Sequence, residues 1–182
     1  MGVFWSSGIG QLLIQLIGFG GMATAILAWQ ERRHCNIMYL QALSCIIWAI
    51  QFALLGSVTA VLVNVLGAMR NLTYSQKPKF EFLNSRIIPV IFAVLFLFAG
   101  IYSYTYEGWK AILPTFSMIV ASVSFYISDE KTVRKLAFLI SPPWLVYNII
   151  FFSVAGIANE VLCMASIIIA IYRYDIKNER VD

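Results

Sequence analysis

Charged residues are scarce in this chain of 182 residues. They make up 12% of it and apolar residues make up 60%, against about 25% and about 45–50% in typical globular proteins. A soluble fold of this size could not bury so much apolar side chain, so lipid must cover part of it. No stretch between the apolar runs is long enough for a separate soluble domain, and we predict a single transmembrane domain over residues 1–182. The net charge of +4 does not indicate nucleic acid, because the basic residues lie in short loops and form no continuous patch.

Residues that commonly support chemistry are also few. The three cysteines are Cys35, Cys45 and Cys163, and without a CxxC pair they indicate neither a disulfide framework nor a zinc site. The single histidine, His34, lies in a charged turn, so no Ser–His pair or metal triad is available within the apolar runs. No lysine lies mid-helix for a retinal Schiff base, and no glycine-rich phosphate loop is present. We therefore expect no cofactor and no enzyme, with an intramembrane enzyme as the last of three alternatives.

Apolar stretches recur along the whole chain. A bilayer core of about 30 Å needs about 20 apolar residues, and seven stretches reach or approach that length: 8–29, 37–55, 57–75, 87–105, 110–128, 136–154 and 157–173. The first is read as a retained helix, because it lacks the basic segment of a signal peptide. The second and third are divided only at Leu54-Leu55-Gly56-Ser57, and the last two around Ser153 to Gly156. Both divisions predict tight hairpins that turn at glycine.

The basic residues set the predicted topology. Because basic loops resist translocation, they collect on the cytoplasmic side. With seven crossings and the N-terminus outside, only Lys110 falls outside, and the C-terminus is cytoplasmic. Twelve basic residues fall inside: Arg32, Arg33, Arg70, Lys77, Lys79, Arg86, Lys131, Arg134, Lys135, Arg173, Lys177 and Arg180. Aromatic residues mark the two interfaces, namely Trp5, Tyr102, Tyr104, Tyr106 and Trp109 outside and Trp29, Tyr74, Tyr172 and Tyr174 inside.

The order of the helices predicts an internal repeat. A long helix, a charged turn and an uncharged hairpin occur twice, with one helix between the two sets. An odd linker gives both sets the same orientation, so the fold class is all-α membrane protein with two parallel three-helix bundles and a linker helix. The predicted divisions are 1–75, 76–106 and 107–182. An ungapped offset of 96 residues pairs Leu40, Leu43, Trp48, Ser57, Val58, Val65 and Leu66 with Leu136, Leu139, Trp144, Ser153, Val154, Val161 and Leu162, and the tryptophan pair carries most of the weight.

Polar residues follow one face of most predicted helices. They are Gln11 and Gln15 on the first, Gln41, Ser44, Trp48 and Gln51 on the second, Asn64 and Asn71 on the third, Ser141, Trp144 and Asn148 on the sixth, and Asn159, Cys163 and Ser166 on the seventh. Two interpretations stay open. The stripes converge on a polar cavity with tryptophan walls, or they tie neighbouring helices together by hydrogen bonds.

Two charged residues and three of the prolines within the apolar stretches are candidates for a functional role. Glu160 is a candidate proton or cation site, because a carboxylate at that depth is costly; alternatively it reaches water near the outer end of its helix. Arg70 is expected to snorkel to the cytoplasmic headgroups, with an ionic contact inside the cavity as the alternative. Pro114, Pro142 and Pro143 are expected to kink their helices, either as a hinge or as a static bend.

The sequence also resembles a known family. Glu31-Arg32-Arg33, Leu54-Leu55-Gly56, Asn64 with Arg70-Asn71-Leu72, and Trp144 through Asn148 to Ser153 and Glu160 resemble the YgjV-type bacterial inner-membrane proteins over nearly the whole chain. That family is grouped with the SWEET and PQ-loop proteins, so the resemblance implies an inner-membrane location and two three-helix bundles joined by a linker helix.

In SWEET-type sugar facilitators a Trp and an Asn of each bundle line the central pocket. Trp48 and Asn64 are similar to that pair, and so is Trp144. The position that corresponds to Asn64 is Glu160, with Asn159 beside it, and the PQ dipeptide is absent. These departures argue against a plain neutral-sugar site. The substrate class of the SWEET-type proteins is therefore not assigned to this chain.

Two functions remain from the sequence. The first is a transporter of an unknown small molecule that works by alternating access, with a substrate site formed by Trp48, Asn64, Trp144, Asn148 and Glu160. The second is a non-transporting seven-helix receptor or membrane-assembly protein. Expected partners are the lipid bilayer and, for the first function, the small-molecule substrate; a homo-oligomer is compatible with both.

Overall fold

A computed structural model describes residues 8–31, 33–124 and 130–172. The predicted interface and topology markers Trp5, Arg32, Arg173, Tyr174, Lys177 and Arg180 lie outside the described residues, and so do the side chains of Trp29, His34, Lys131 and Arg134. Within these ranges the chain is helical and has no β-strand. The α-helices are α1 Gly8–Gln30, α2 His34–Leu54, α3 Val58–Ser75, α4 Ile87–Glu107, α5 Ile112–Ser124, α6 Glu130–Ile150 and α7 Val154–Ala170, and 3-10 turns cover Glu81–Asn84 and Gly108–Ala111.

Each predicted apolar stretch coincides with one of these helices. The largest difference is at α6, which begins at Glu130 instead of near residue 136. The charged turn that precedes the apolar part is itself helical, because Glu, Lys and Arg are good helix formers.

Three spans in the described residues are long and apolar enough to cross a membrane: Gly8–Ala28, Cys35–Leu54 and Ile87–Ser124. The third span contains both α4 and α5. Lys135–Ile150 and Val154–Ile169 are shorter apolar helices. Large apolar side chains cover the outside of the helices, for example Leu12, Phe98 and Ile169, which are 62%, 64% and 64% exposed. Exposed apolar surface on this scale requires an apolar environment, as lipid provides.

The junction of α4 and α5 reverses the chain. Gly108 has a φ of +60°, a conformation that glycine adopts without the steric cost of a side chain. A 3-10 turn follows, and α5 packs back against α4. Pro114 therefore lies in the first turn of α5, where backbone N–H groups have no partner within the helix. The expectation that Pro114 breaks and kinks its helix is wrong. Pro142 and Pro143 do lie inside α6.

The α2–α3 and α6–α7 hairpins use the same backbone hydrogen bonds. Four backbone bonds recur at an offset of 96 residues: Leu55 N to Gln51 O and Phe151 N to Tyr147 O, Gly56 N to Ala53 O and Phe152 N to Ile149 O, Ser57 N to Phe52 O and Ser153 N to Asn148 O, and Val61 N to Ser57 O and Ile157 N to Ser153 O. A fifth recurring bond joins a backbone amide to a serine side chain: Ala60 N to Ser57 Oγ and Gly156 N to Ser153 Oγ. The two hairpins are therefore equivalent in backbone structure and in the serine that caps the following helix.

The residue at the turn differs between the hairpins. The first turns at Gly56, with a φ of +80°, as the sequence predicts. The second turns at Phe152, with a φ of +54°, and Gly156 lies in the first turn of α7. The prediction of a glycine turn is therefore wrong for the second hairpin. Its serine cap and the backbone bonds around it hold a phenylalanine in a conformation that bulky residues rarely adopt.

Helix contacts follow the same two-part pattern. Helix α2 packs against α1 and α3, and α6 packs against α5 and α7. The two sets meet through contacts of α1 with α7 and of α3 with α5. Exchanging α1–α3 with α5–α7 leaves this set of contacts unchanged, as expected for two similar units around a central cavity. Helix α4 contacts α3 and α5.

Candidate functional site

A cavity of about 170 Å³ lies between the two sets of helices. All five residues of the predicted substrate site line it: Trp48, Asn64, Trp144, Asn148 and Glu160. Gln41, Arg70 and Asn71 line it as well, on the parts of α2 and α3 that are remote from the hairpins. The structure thus brings together the residues that the sequence analysis selected from four different helices.

Aromatic rings form two equivalent walls of the cavity. Trp48 and Trp144 are 96 residues apart, and both are nearly buried, at 8% and 9% exposure. The ring of Phe52 lies between them, with centroids 6.2 Å from Trp48 and 6.0 Å from Trp144. Trp144 also packs edge-on against Tyr147 at 5.8 Å. Because each indole has aromatic neighbours of this kind, its ring plane is held in place.

Two asparagines of the cavity lining are hydrogen-bonded to their own helices in the same way. Asn64 Nδ2 donates to Ala60 O at 2.8 Å, and Asn148 Nδ2 donates to Trp144 O at 2.9 Å. In each case the amide nitrogen bonds the carbonyl one turn back, so the Oδ1 atom remains as an acceptor. Asn148 Oδ1 is buried and has no hydrogen-bond partner within the described residues. It lies directly against Gly156, where a Cβ would overlap it.

Glu160 lies on the α7 wall of the cavity. Its carboxylate accepts from Asn159 Nδ2 at 3.2 Å and is hydrogen-bonded to Ser141. Its position in the cavity lining fits the prediction that Glu160 is a candidate proton or cation site. Ser141 and Asn159 orient the carboxylate there. Neither of these two neighbours is charged, so the carboxylate keeps its negative charge toward the cavity when it is ionised.

Arg70 is the second charged group in the cavity lining, and it is only 3% exposed. Its Nη1 donates to Ser122 Oγ at 3.2 Å, and its Nε donates to Asn71 Oδ1 at 3.3 Å. The guanidinium also lies 5.6 Å from the ring centroid of Phe96. The expectation that Arg70 snorkels to the headgroups is wrong, because its neighbours on α3, α4 and α5 hold it inside the protein.

Two equivalent side-chain hydrogen bonds join the halves at the hairpin end of the cavity. Tyr147 of α6 is hydrogen-bonded to Ser57 Oγ, and Ser153 Oγ donates to Gln51 Oε1 of α2 at 3.3 Å. These are equivalent pairs, since an offset of 96 residues converts Gln51 and Ser57 into Tyr147 and Ser153. All four residues are at most 1% exposed. Water is therefore excluded from this end.

Each of these two hydrogen-bonded pairs belongs to a larger hydrogen-bond network. One network lies at the N-terminus of α3 and the other at the N-terminus of α7. In the charged network, Glu107 accepts from Tyr147 OH at 2.6 Å, from Thr59 Oγ1 at 2.6 Å and from Thr59 N at 2.9 Å. We define the charged network as Glu107, Thr59, Tyr147 and Ser57. A carboxylate at this position also faces the positive end of the α3 dipole.

The neutral network is the equivalent arrangement around α7. Gln15 Oε1 accepts from Val154 N at 2.9 Å, from Ala155 N at 3.4 Å and from Gln51 Nε2 at 3.4 Å. Its Nε2 donates to the carbonyl oxygen of Phe152 at 2.9 Å. We define the neutral network as Gln15, Gln51 and Ser153 with these backbone groups. Thr59 and Ala155, whose amides are capped in the two networks, are again 96 residues apart.

Some residues of the predicted polar stripes line the cavity, and others form hydrogen bonds between neighbouring helices. Gln41 and Asn71 line the cavity, whereas Ser44 ties α2 to α1 by donating to Gly21 O at 2.9 Å. Ser166 is exposed on the outside of α7. Glu107 and Tyr147 were not among the predicted site residues. The sequence signal that could have indicated the hairpin end of the cavity is the match of Ser57 with Ser153 at the offset of 96 residues.

The fold and the cavity define a helical membrane protein with an internal polar cavity between two similarly hydrogen-bonded halves. Residues 12–178 match the model of the Imp-YgjV family, described as a bacterial inner membrane protein. The chain belongs to this family and is a protein of the bacterial inner membrane. No curated protein and no solved structure matches it.

Proposed function

We propose that this chain is a small-molecule transporter that works by alternating access. In this proposal α1–α3 and α5–α7 are parallel three-helix bundles of SWEET-like architecture, and α4 links them. All seven helices cross the membrane, with the N-terminus outside and the C-terminus in the cytoplasm. The observation that carries the proposal is the pair of equivalent hydrogen-bond networks that joins the two halves at one end of a polar cavity.

Closure by hydrogen bonds suits a reversible gate. The groups that form the hydrogen bonds between the halves can bond water instead when the halves separate. Phe52 also packs across the halves against Trp144 and Tyr147, so opening exposes these aromatic rings as well. The closed hairpin end lies outside in the proposed topology, so this conformation is closed to the periplasm.

The lining of the cavity extends away from this closed end. Gln41 precedes Gln51 by ten residues, which is about 15 Å along a helix, and Arg70 lies toward the end of α3 opposite the hairpin. The proposed substrate site, formed by Trp48, Asn64, Trp144, Asn148 and Glu160, lies between these levels. A substrate bound there would be reached from the cytoplasmic side in this conformation.

The native Cys45 provides a direct test, because it lines the cavity without any substitution there. We propose to replace Cys35 and Cys163 by serine and to label Cys45 in membrane vesicles of both orientations with a thiol reagent that cannot cross the bilayer. The expected result is labelling mainly from the cytoplasmic side. Weakening the closed end by Glu107→Ala with Gln15→Ala is expected to raise periplasmic labelling and lower cytoplasmic labelling.

Two exposed positions serve as controls for orientation. In the cysteine-free background, Lys79→Cys is expected to label from the cytoplasm alone and Trp109→Cys from the periplasm alone; both side chains are exposed. Labelling of both controls from one side would refute the proposed topology. If Cys45 reacts from a single side whether or not the networks are weakened, the transporter proposal fails and the non-transporting receptor is favoured.

A further inference from the structure

We propose that Glu160 binds a proton when the hairpin end of the cavity closes and releases it when that end opens. Alternating access is then coupled to proton binding. This inference rests on the proposed function, since it concerns the regulation of the same cavity. Three observations carry it: the position of the carboxylate on α7, a hydrogen-bond partner that suits both protonation states, and the position of that partner at a weakened turn of α6.

Glu160 is the single charged residue in the sequence of α7, and it lines the cavity. It lies six residues after Val154, which is about 9 Å along the helix from the hairpin end. The equivalent residue of the first half is Asn64, so the two halves differ at this level by an ionisable group. A carboxylate within an apolar membrane-spanning segment is costly and marks a functional position.

The hydrogen-bond partners of Glu160 suit a proton. Ser141 is buried and is hydrogen-bonded to the carboxyl group. An ionised carboxylate only accepts, so the serine hydroxyl then donates to it; a protonated carboxyl carries its own O–H, and the same hydroxyl can turn and accept. Asn159 Nδ2 donates to Oε1 at 3.2 Å, which is possible in both states.

A metal cation suits these partners less well. Hard cations such as Ca²⁺ and Mg²⁺ are bound by several oxygen atoms that act as ligands. Around the ionised carboxylate of Glu160, Ser141 and Asn159 instead present hydrogen-bond donors. A proton needs no further ligand, because the one bond that forms is the O–H bond of the carboxyl group.

Ser141 also lies at a weakened turn of its helix. It directly precedes Pro142 and Pro143, which lie inside α6. Two consecutive prolines remove two backbone donors, so this turn resists bending less than the rest of the helix. Tyr147, further along α6, belongs to the charged network that joins the halves. A change in the hydrogen bond of Ser141 therefore acts where a bend of α6 moves a residue of the closed end.

Closure of the hairpin end determines how much water reaches Glu160. Gln15 of α1 accepts from Val154 N at the start of α7. When this contact between the halves opens, water enters along α7 and solvates the carboxylate, which favours the ionised form. Closing removes that water, and a neutral carboxyl costs less to enclose than a carboxylate. Acidic pH is therefore expected to favour the form that is closed at the hairpin end.

Few other titratable or charged groups face Glu160. They are Cys163 on α7, Tyr147 on α6, Cys45 on α2 and Arg70 on α3. Helix α1 contributes none between Gly8 and Gln30, and the charged residues of α6 are confined to 130–135, before the part that contains Ser141. A guanidinium keeps its charge over the ordinary pH range, so Arg70 cannot itself supply a pH response.

Glu107 is the competing origin of a pH response, and it predicts the opposite sign. Its carboxylate accepts from Thr59 and Tyr147 in the charged network. Protonation of Glu107 removes the charge from this acceptor and weakens the network, so acidic pH would open the hairpin end. The direction of the response therefore distinguishes Glu107 from Glu160.

The first measurement is the labelling of Cys45 from the two sides, in the full-length protein with serine at positions 35 and 163 and with the same pH on both sides of the membrane. The ratio of cytoplasmic to periplasmic labelling removes the pH dependence of the thiol reaction itself. One linked proton changes an equilibrium by at most about tenfold per pH unit. We expect the ratio to rise by about tenfold from alkaline to acidic pH.

The variant Glu160→Gln is expected to abolish this response and to keep the ratio near its acidic value, because a neutral amide resembles the protonated carboxyl. Glu81→Gln is the matched control, since this acidic residue is exposed, and it is expected to retain the full response. If Glu160→Gln does not fold, Glu160→Asp and Ser141→Ala replace it. Each keeps a carboxyl group on α7 or its place there but changes its contact with α6, and each is expected to shift the midpoint of the response.

Proton binding is measured separately by infrared difference spectroscopy of the purified protein in lipid, between acidic and alkaline pH. A protonated carboxyl group has a C=O stretching band that a carboxylate lacks. We expect one such band to be lost in Glu160→Gln and retained in Glu81→Gln. Replacing sodium by choline in the buffer is expected to change neither this band nor the labelling ratio.

The outcomes separate this proposal from the proposed function. A pH response that survives Glu160→Gln, one of opposite sign that is lost in Glu107→Gln, or a response to sodium instead of pH overturns the proton site. Cys45 labelled alternately from the two sides without any pH response overturns the coupling and leaves the transporter. An infrared band that depends on Glu160, with Cys45 accessible from one side only, overturns transport and the coupling together.

Discussion

The two hairpins of this protein share their backbone bonds and differ in the groups that hold them. In the α2–α3 hairpin the capping group supplied by the rest of the protein is the carboxylate of Glu107, which takes three donors. In the α6–α7 hairpin it is the amide oxygen of Gln15. Hydrogen bonds to a charged acceptor are about twice as strong as neutral ones. The two hairpins therefore share their backbone shape, but the groups that cap them are not equally strong hydrogen-bond acceptors.

In the proposed transport cycle, this difference implies that the charged network and the neutral network need not open together. The weaker, neutral side is expected to separate first when the halves move apart. Opening of the charged side then requires that the buried hydroxyl of Tyr147 find another acceptor, and water entering through the neutral side can supply it. The comparison can be tested by removing each capping group in turn.

The largest effect is expected from Glu107→Ala. This substitution removes the acceptor of Tyr147 and Thr59 and should lower the free energy of unfolding by about 3 kcal/mol, whereas Gln15→Ala should lower it by about 1 kcal/mol. The measurement is the unfolding of the purified protein in a denaturing-detergent titration. Glu107→Gln keeps an acceptor oxygen without the charge and is expected to lie between the two. Equal effects of Glu107→Ala and Gln15→Ala would show that the two networks are energetically equivalent.

A second comparison concerns the first turn after each hairpin, where Ala60 corresponds to Gly156. A Cβ at position 156 would overlap the side chains of Asn148 and Ser153. We expect Gly156→Ala to destabilise the fold by about 2 kcal/mol, in the range of overpacked cores. The reverse change, Ala60→Gly, introduces flexibility and removes a methyl group, at a cost of about 1 kcal/mol.

The same unfolding titration measures both variants. If Gly156→Ala costs no more than Ala60→Gly, then Asn148 can move aside, and its orientation toward the cavity is not fixed by the glycine.

Much of the helical layout and of the cavity lining could be predicted from the sequence, because both follow from local signals. Apolar length identifies the helices, and helical spacing with the Trp48 and Trp144 match selects the cavity walls. Arg70 could not be assigned correctly, since the sequence does not say whether a basic residue near a helix end turns outward or inward. That choice depends on Ser122, which lies more than fifty residues away.

Glu107 was missed for a similar reason. It is the last residue of α4, beside Gly108, where an acidic residue is usually an ordinary surface group. Its partners Thr59 and Tyr147 come from two other helices. The turn at Phe152 was missed because it contradicts the local preference for glycine. In that hairpin the serine cap and the backbone bonds outweigh the preference of the residue itself, which is a tertiary effect.

Substitutions at the turn residues of the two hairpins are among the changes with the smallest expected effects. Phe152→Gly should relieve the cost of a left-handed phenylalanine and stabilise the fold by about 1 kcal/mol. Gly56→Ala should destabilise it by about 1 kcal/mol through the backbone alone, since nothing lies within 4 Å of a Cβ at position 56. The unfolding titration measures both variants. Phe152→Ala is the decisive control, because it removes the ring, which is 78% exposed, and keeps a side chain at positive φ. If Phe152→Ala stabilises the fold as much as Phe152→Gly, then the phenylalanine ring and not the backbone conformation is the source of the cost, and the hairpins differ in their lipid-facing surface and not in strain.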